Sequence, residues 1–187
     1  MDVFRLQLTV LLLLGGHMVS GVTVQECRRR PADLVFLLDG SGSIEPQDFT
    51  KAKSFVSDII RKFEISSRAV HVGLIRFDSE AVVLIRLNEF RSAAQLLQKI
   101  SQMKNFGGKT NTGSALQLAG TVLTDHRFGA RDNVEKIVIV LTDGRSNKGV
   151  DVGVAAMSLK SKGVAPVIAV GVGGKINRAE LQLIASS

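Results

Sequence analysis

Asp33-Leu34-Val35-Phe36-Leu37-Leu38-Asp39-Gly40-Ser41-Gly42-Ser43 decides how this chain reads. Residues 33–39 are nearly all apolar, as a strand buried on both faces of a parallel sheet should be. The run then gives way to a carboxylate and two hydroxyls separated by glycines, which let the backbone turn sharply. Asp39 would sit at the strand end, with Ser41 and Ser43 projecting from the turn into the next helix. One carboxylate and several neutral hydroxyls suit Mg²⁺, which takes oxygen ligands in near-octahedral geometry and usually keeps some waters. Alone, this spacing is more often loop and cap chemistry than a metal site.

Outward from that stretch, strand-like and helix-like runs alternate. From Pro46 the apolar positions Phe49, Ala52, Val56, Ile59, Ile60 and Phe63 recur three and four apart, an amphipathic helix with proline in its first turn. Residues 69–77 form a second strand, rich in β-branched side chains. Residues 81–87 follow after three residues, too short a link for a parallel crossover, so they fold back antiparallel and form an edge. Residues 92–100 read as a short helix. A loop over 105–113 opens another helix through Ala115, Leu116, Leu118, Ala119 and Val122. Residues 137–141 are a central strand ending in Thr142-Asp143-Gly144-Arg145-Ser146; 152–160 are helical, 164–172 a buried strand, and 178–185 a last helix. The alternation predicts a doubly wound α/β sheet, mostly parallel with one antiparallel edge strand. Such sheets bind ligands beyond the carboxyl ends of their strands, and three polar loops, 39–43, 107–113 and 142–146, are expected on that rim.

The chain has 187 residues, 45% hydrophobic and 22% charged, which bounds it to one ordinary globular domain. Residues 1–21 stand apart. Arg5 precedes an apolar core over 6–14 and small residues at 19–21, the layout of a cleaved secretory signal. The core is short of the roughly 20 residues a spanning helix needs, and no membrane span is expected. Residues 22–32, with Arg28-Arg29-Arg30, read as a linker, and 33–187 as the domain. Removing the signal takes away Asp2 and Arg5 and leaves the net charge of +7 unchanged. A basic exported domain admits sulfated glycans or acidic proteins as partners. Nucleic acid is disfavoured: Trp and Tyr are absent, so there is little aromatic platform for bases. Cys27 is the only cysteine, a candidate for a disulfide whose partner is absent from this chain. There is no Asn-x-Ser/Thr sequon.

Four segments carry a resemblance to the von Willebrand factor type A domain family, and they fall in family order: 33–44, 107–116, 139–146 and 168–173. The resemblance, with a signal just before the domain, points to the secreted matrix branch of matrilins and collagen-associated A domains. It implies a metal-ion-dependent adhesion site. Asp39, Ser41 and Ser43 match its first loop, Thr110 its second and Asp143 its third, holding Mg²⁺ or Mn²⁺. Neutral ligands would leave the cation electron-poor and able to attract a carboxylate from a matrix protein such as a collagen. Asn111, Thr112, Gly144 and Arg145 would surround that opening. The resemblance also implies that the family's last strand and C-terminal helix are missing here, together with the cysteine that pairs, in many relatives, with one near position 27.

Two other readings stay beside adhesion. A structural assembly module would use flat faces or Cys27 and leave the metal aside. A metal-dependent hydrolase would need a positioned nucleophile or general base, and position 41 is serine where a second carboxylate could have stood. His71 in a strand and His126 in a loop read as packed or surface histidines. Gly171-Val172-Gly173-Gly174 does not fit a dinucleotide fingerprint. The expected function is binding, not turnover.

Overall fold

A computed structural model describes residues 30–186. The expected signal, Cys27 and most of the expected linker lie outside the described residues. Among the described residues, five strands and five helices follow in the order β1 (Ala32–Asp39), α1 (Pro46–Ile60), β2 (Val70–Phe77), β3 (Ala81–Ile85), α2 (Ala93–Ser101), α3 (Thr112–Val122), β4 (Glu135–Thr142), α4 (Val152–Ser161), β5 (Val167–Gly171) and α5 (Arg178–Ile184), with a 3₁₀ turn at His126–Phe128. The strands form one sheet in the order β3-β2-β1-β4-β5. Every neighbouring pair is parallel except β2 with β3, which is antiparallel as expected of so short a link.

Side-chain alternation along β1 builds both cores. Leu34, Phe36 and Leu38 face α1 and α2, against Phe49, Val56 and Ile59. Val35 and Leu37 face α3, α4 and α5, against Leu116, Ala119 and Leu159. All five are at most 1% exposed. Each such side chain stabilises the fold by about 1.5–3 kcal/mol, so β1 anchors both layers. The strand order reverses direction between β1 and β4, and their carboxyl ends, Asp39 and Thr142, flank that switch point.

Several boundaries differ from those expected. β1 begins at Ala32, one residue into the expected linker, because Ala32 already pairs with Val70 and Glu135. β3 stops at Ile85, where Leu87 leaves the ladder and donates its N–H to the Phe128 carbonyl at 2.9 Å. β5 starts at Val167 because Pro166, lacking an N–H, can only accept from Val138. Among the described residues no helix is long and apolar enough to cross a membrane.

Within the apolar run, Asp33 is fully buried. Its carboxylate accepts from the Arg131 backbone N–H at 2.7 Å and from Arg131 Nε at 2.8 Å, while Arg131 Nη2 donates to the Ala32 carbonyl. His71, paired with Asp33 across β1 and β2, has Nδ1 3.9 Å from Asp33 Oδ1 and no hydrogen bond there. Burial holds the His71 imidazole below its usual titration range, and the Arg131 charge adds to that.

Two outcomes are expected. Arg131→Ala strands a buried carboxylate and should lower the unfolding free energy in urea by about 3 kcal/mol. Because His71 takes up its proton more readily in the unfolded chain, stability should decline as pH falls below about 6.5. Urea midpoints measured on either side of that pH should show His71→Gln with a shallower decline than the unsubstituted chain.

Candidate metal-binding rim

Three loops meet at the carboxyl end of the sheet, and main-chain hydrogen bonds lock them together. The first loop, after β1, holds the second through Gly42 N–H to the Gly108 carbonyl at 3.0 Å and Gly107 N–H to the Gly40 carbonyl at 3.0 Å. The second holds the third through Thr110. Its carbonyl accepts from Asn147 N–H at 3.0 Å, Lys148 N–H at 3.2 Å and the Ser146 hydroxyl at 3.2 Å. Its own N–H donates to Asn147 Oδ1 at 3.1 Å.

Asp39 sits at the centre, 1% exposed. Its Oδ1 accepts from the Ser41 N–H at 2.9 Å and its Oδ2 from the Thr142 hydroxyl at 2.7 Å. Thr142 in turn accepts the Gly144 N–H at 3.1 Å. Ser41 Oγ lies 3.1 Å from Ser43 Oγ, the first buried and the second exposed. Asp143, 3% exposed, accepts from the Arg145 N–H at 3.0 Å, and its carbonyl takes the Asn177 N–H at 2.7 Å, which ties the start of α5 to the rim. All five side chains expected as ligands, Asp39, Ser41, Ser43, Thr110 and Asp143, therefore stand on these three loops.

The electrostatics favour a cation. Burial pushes the Asp39 carboxyl above its ordinary range; hydrogen bonds from Ser41 and Thr142 pull the other way, and the Asp143 charge raises it further. Burial likewise raises Glu180, and the charges of Asp143, Asp39 and Asp151 add to it, against the pull of the Ser146 N–H bonds. Among the described residues no lysine, arginine or histidine forms an ion pair with Asp39 or Asp143. Buried carboxylates without a counter-charge are costly. An all-oxygen donor set of two carboxylates and three hydroxyls fits a hard divalent ion.

The four residues expected around the opening differ among themselves. Arg145 is exposed. Asn111 is 7% exposed and works as a cap: its Oδ1 accepts from the Ser114 N–H, opening α3, and its Nδ2 donates to the Ser79 carbonyl. Thr112 is fully buried and its hydroxyl has no hydrogen-bond partner. Next to it, the first turn of α3 lies so close to Val150 that a side chain at Gly113 would collide with the Val150 carbonyl. Gly144 is buried with φ +73°, and a Cβ there would stand 2.7 Å from the Asn177 carbonyl. Its role is to let the third loop turn beneath α5.

Thr142 and Glu180 were not expected from the sequence. Glu180, on α5, accepts from the Ser146 N–H with both carboxylate oxygens at 3.2 Å. It also lines, with Ser43, Arg145, Asn147 and Asn177, an open hollow of about 650 Å³ beside the rim. Thr142→Val removes the donor to Asp39 and the acceptor for Gly144 at once. It should lower stability in urea with EDTA by about 1–3 kcal/mol, whereas Thr142→Ser should stay much closer to the unsubstituted chain.

Residues 33–187 match the von Willebrand factor type A domain family. The chain is 37% identical over 164 residues to bovine matrilin-1, covering 86% of this chain and 29% of that protein. It is 34% identical over 185 residues to the human collagen alpha-1(XXI) chain, covering 98% of this chain and 19% of that one. It thus spans less than a third of either relative. Among solved structures, proximal thread matrix protein 1 from the mussel byssus, with a zinc-occupied MIDAS motif, superposes with TM-score 0.78 and 29% identity, over 84% of this chain and 42% of that one. Manganese-loaded TRAP protein of Plasmodium vivax gives TM-score 0.73 and 28% identity, over 83% and 62%. This chain belongs to the von Willebrand factor type A domain family, in the branch of matrilin-1 and the collagen chains of the extracellular matrix.

Proposed function

We propose that this chain is an extracellular interaction module that recognises matrix proteins, such as a collagen, through a divalent ion held by Asp39, Ser41, Ser43, Thr110 and Asp143. The observation that carries this reading is the pair of buried carboxylates, Asp39 and Asp143, set among hydroxyls with no described cationic partner. The zinc-occupied and manganese-loaded structures of similar proteins support it. Mg²⁺ is the ion proposed, with Mn²⁺ as its substitute, because every donor is a hard oxygen. When bound, the ion would supply an electrophilic position for a carboxylate of the partner.

The chain's own residues do the rest. Thr142 and the Ser41 N–H orient Asp39, the Thr110 backbone clamps the second loop to the third, and exposed Arg145 faces whatever approaches. We further propose that residues 1–21 direct export, that the segment before β1 at Ala32 links them to the domain, and that Cys27 is available for a disulfide to another chain. Sulfated glycans would be secondary, salt-sensitive partners of the basic surface. The matrix character of the relatives supports binding over catalysis.

Calorimetric titration tests the metal directly. Mg²⁺ should bind in one-to-one stoichiometry and raise stability by about 2.7 kcal/mol at a hundredfold excess over Kd; Asp39→Ala should abolish both effects. Binding to a panel of immobilised collagens should disappear in EDTA. Binding that persists in EDTA and in Asp39→Ala would instead support an assembly module that does not use the metal.

A further inference from the structure

Phe106 is the most exposed large hydrophobic side chain among the described residues, at 68%. A lone exposed phenyl on a loose loop would call for no explanation. This loop is not loose. Asn105 Nδ2 donates to the Ile44 carbonyl at 2.8 Å, and Gly107 N–H to both the Gly40 carbonyl and Asn105 Oδ1. Gly108 accepts from Gly42, and the Lys109 N–H donates to Ser79 Oγ at 3.0 Å. The backbone is thus pinned on both sides of Phe106, and two of the pins go to the first loop of the metal rim.

Beneath the ring lies Arg76, its Cζ 4.4 Å from the ring centroid. Arg76 is itself held in place. Its Nη2 is 3.3 Å from Asp78 Oδ2, and its aliphatic stem packs beside Gly40, where an added Cβ would meet Arg76 Cγ at 3.4 Å. Exposed Lys104 and Lys109 close the two ends of the loop. The result is a preorganised aromatic surface edged by positive charge. Such surfaces bind well because little side-chain freedom remains to be lost.

We propose that Phe106, stacked on Arg76, is a specificity-determining contact that receives an apolar side chain of an acidic partner segment, beside the carboxylate directed to the metal. This rests on the metal-dependent reading above. The chain of links from Phe106 through Gly107 and Gly40 to Asp39 places the two Cα atoms no more than about 12 Å apart. An extended partner spans that distance in about four residues. The recognised segment is therefore an acidic residue with an apolar one within about four positions, and the basic edge complements further acidic residues around them.

The probe is a displayed library of random peptides with one fixed central glutamate, selected on the full chain in Mg²⁺ and eluted with EDTA. Apolar side chains should be enriched within about four positions of the glutamate. The selected peptides, made synthetically, should bind Phe106→Ala at least about tenfold more weakly, while Mg²⁺ still raises the thermal midpoint of that variant. Phe106→Tyr should largely restore binding. EDTA-eluted peptides without an apolar preference, or with equal affinity for Phe106→Ala, would overturn the proposal and leave the metal reading standing. Failure to recover any EDTA-eluted peptide would overturn it too; the Mg²⁺ titration then decides separately whether the metal reading falls with it. Should immobilised heparin retain the chain and Phe106→Ala alike, release Lys104→Ala and Lys109→Ala at lower salt, and the selection yield no such peptide, the patch is a glycan site and the proposal fails.

Discussion

A carboxylate buried at the seam between two central strands governs the functional end of this molecule. Asp39 ends β1 and is bonded to Thr142 at the end of β4 and to the Ser41 N–H in its own loop. Those bonds come from neutral donors, and Asp143 brings a second negative charge close by. Removing two carboxylates from water without a counter-ion is costly. The apolar sheet that excludes water from Asp39 therefore also sets the electrostatic condition under which the proposed cation would be stabilising. Stability and the proposed binding are linked at this point: the burial that makes β1 an anchor of both cores also leaves its last residue a carboxylate without a described cationic partner.

Rigidity follows from how the loops are joined. The first and second are crossed by two backbone hydrogen bonds, and the Thr110 peptide alone takes part in four that reach the third. Side chains on loops held this way need little reordering when an ion or partner arrives. Within this frame Asn111 and Thr112 are enclosed while Arg145 and Phe106 remain open to solvent. The surface presented beside the metal rim is then a cation on one loop and an aromatic ring on another, with Ser43 exposed between their anchoring loops.

Much of this was legible in the sequence. The apolar run at 33–39, the period of α1 and the short link before β3 specify buried strand, amphipathic helix and antiparallel edge by simple steric and hydrophobic rules. The five oxygen-bearing residues proposed to hold the ion could be named from the sequence because each sits in a polar loop directly beside an apolar element. What was not legible depends on adjacency. Alternation puts Asp39 on the face of Val35 and Leu37, and Thr142 on that of Val138 and Val140; they meet only because β1 and β4 are neighbours in register. Their separation of 103 positions in the chain gives no local sign of the bond. Asp33 with Arg131, 98 positions apart, is the same case. Arg76 under Phe106 and Glu180 against Ser146 likewise depend on loop paths that no periodicity encodes.

The proposed function stands on one divalent ion held by the buried carboxylates and hydroxyls of the three loops. Anomalous diffraction from crystals of the chain grown with Mn²⁺ tests it most directly. A single strong peak is expected within bonding reach of Ser41, Ser43 and Thr110 and enclosed by Asp39 and Asp143, absent from crystals of Asp39→Ala. Density that shows the five side chains ordered around no anomalous peak, or a peak bound elsewhere, would contradict it.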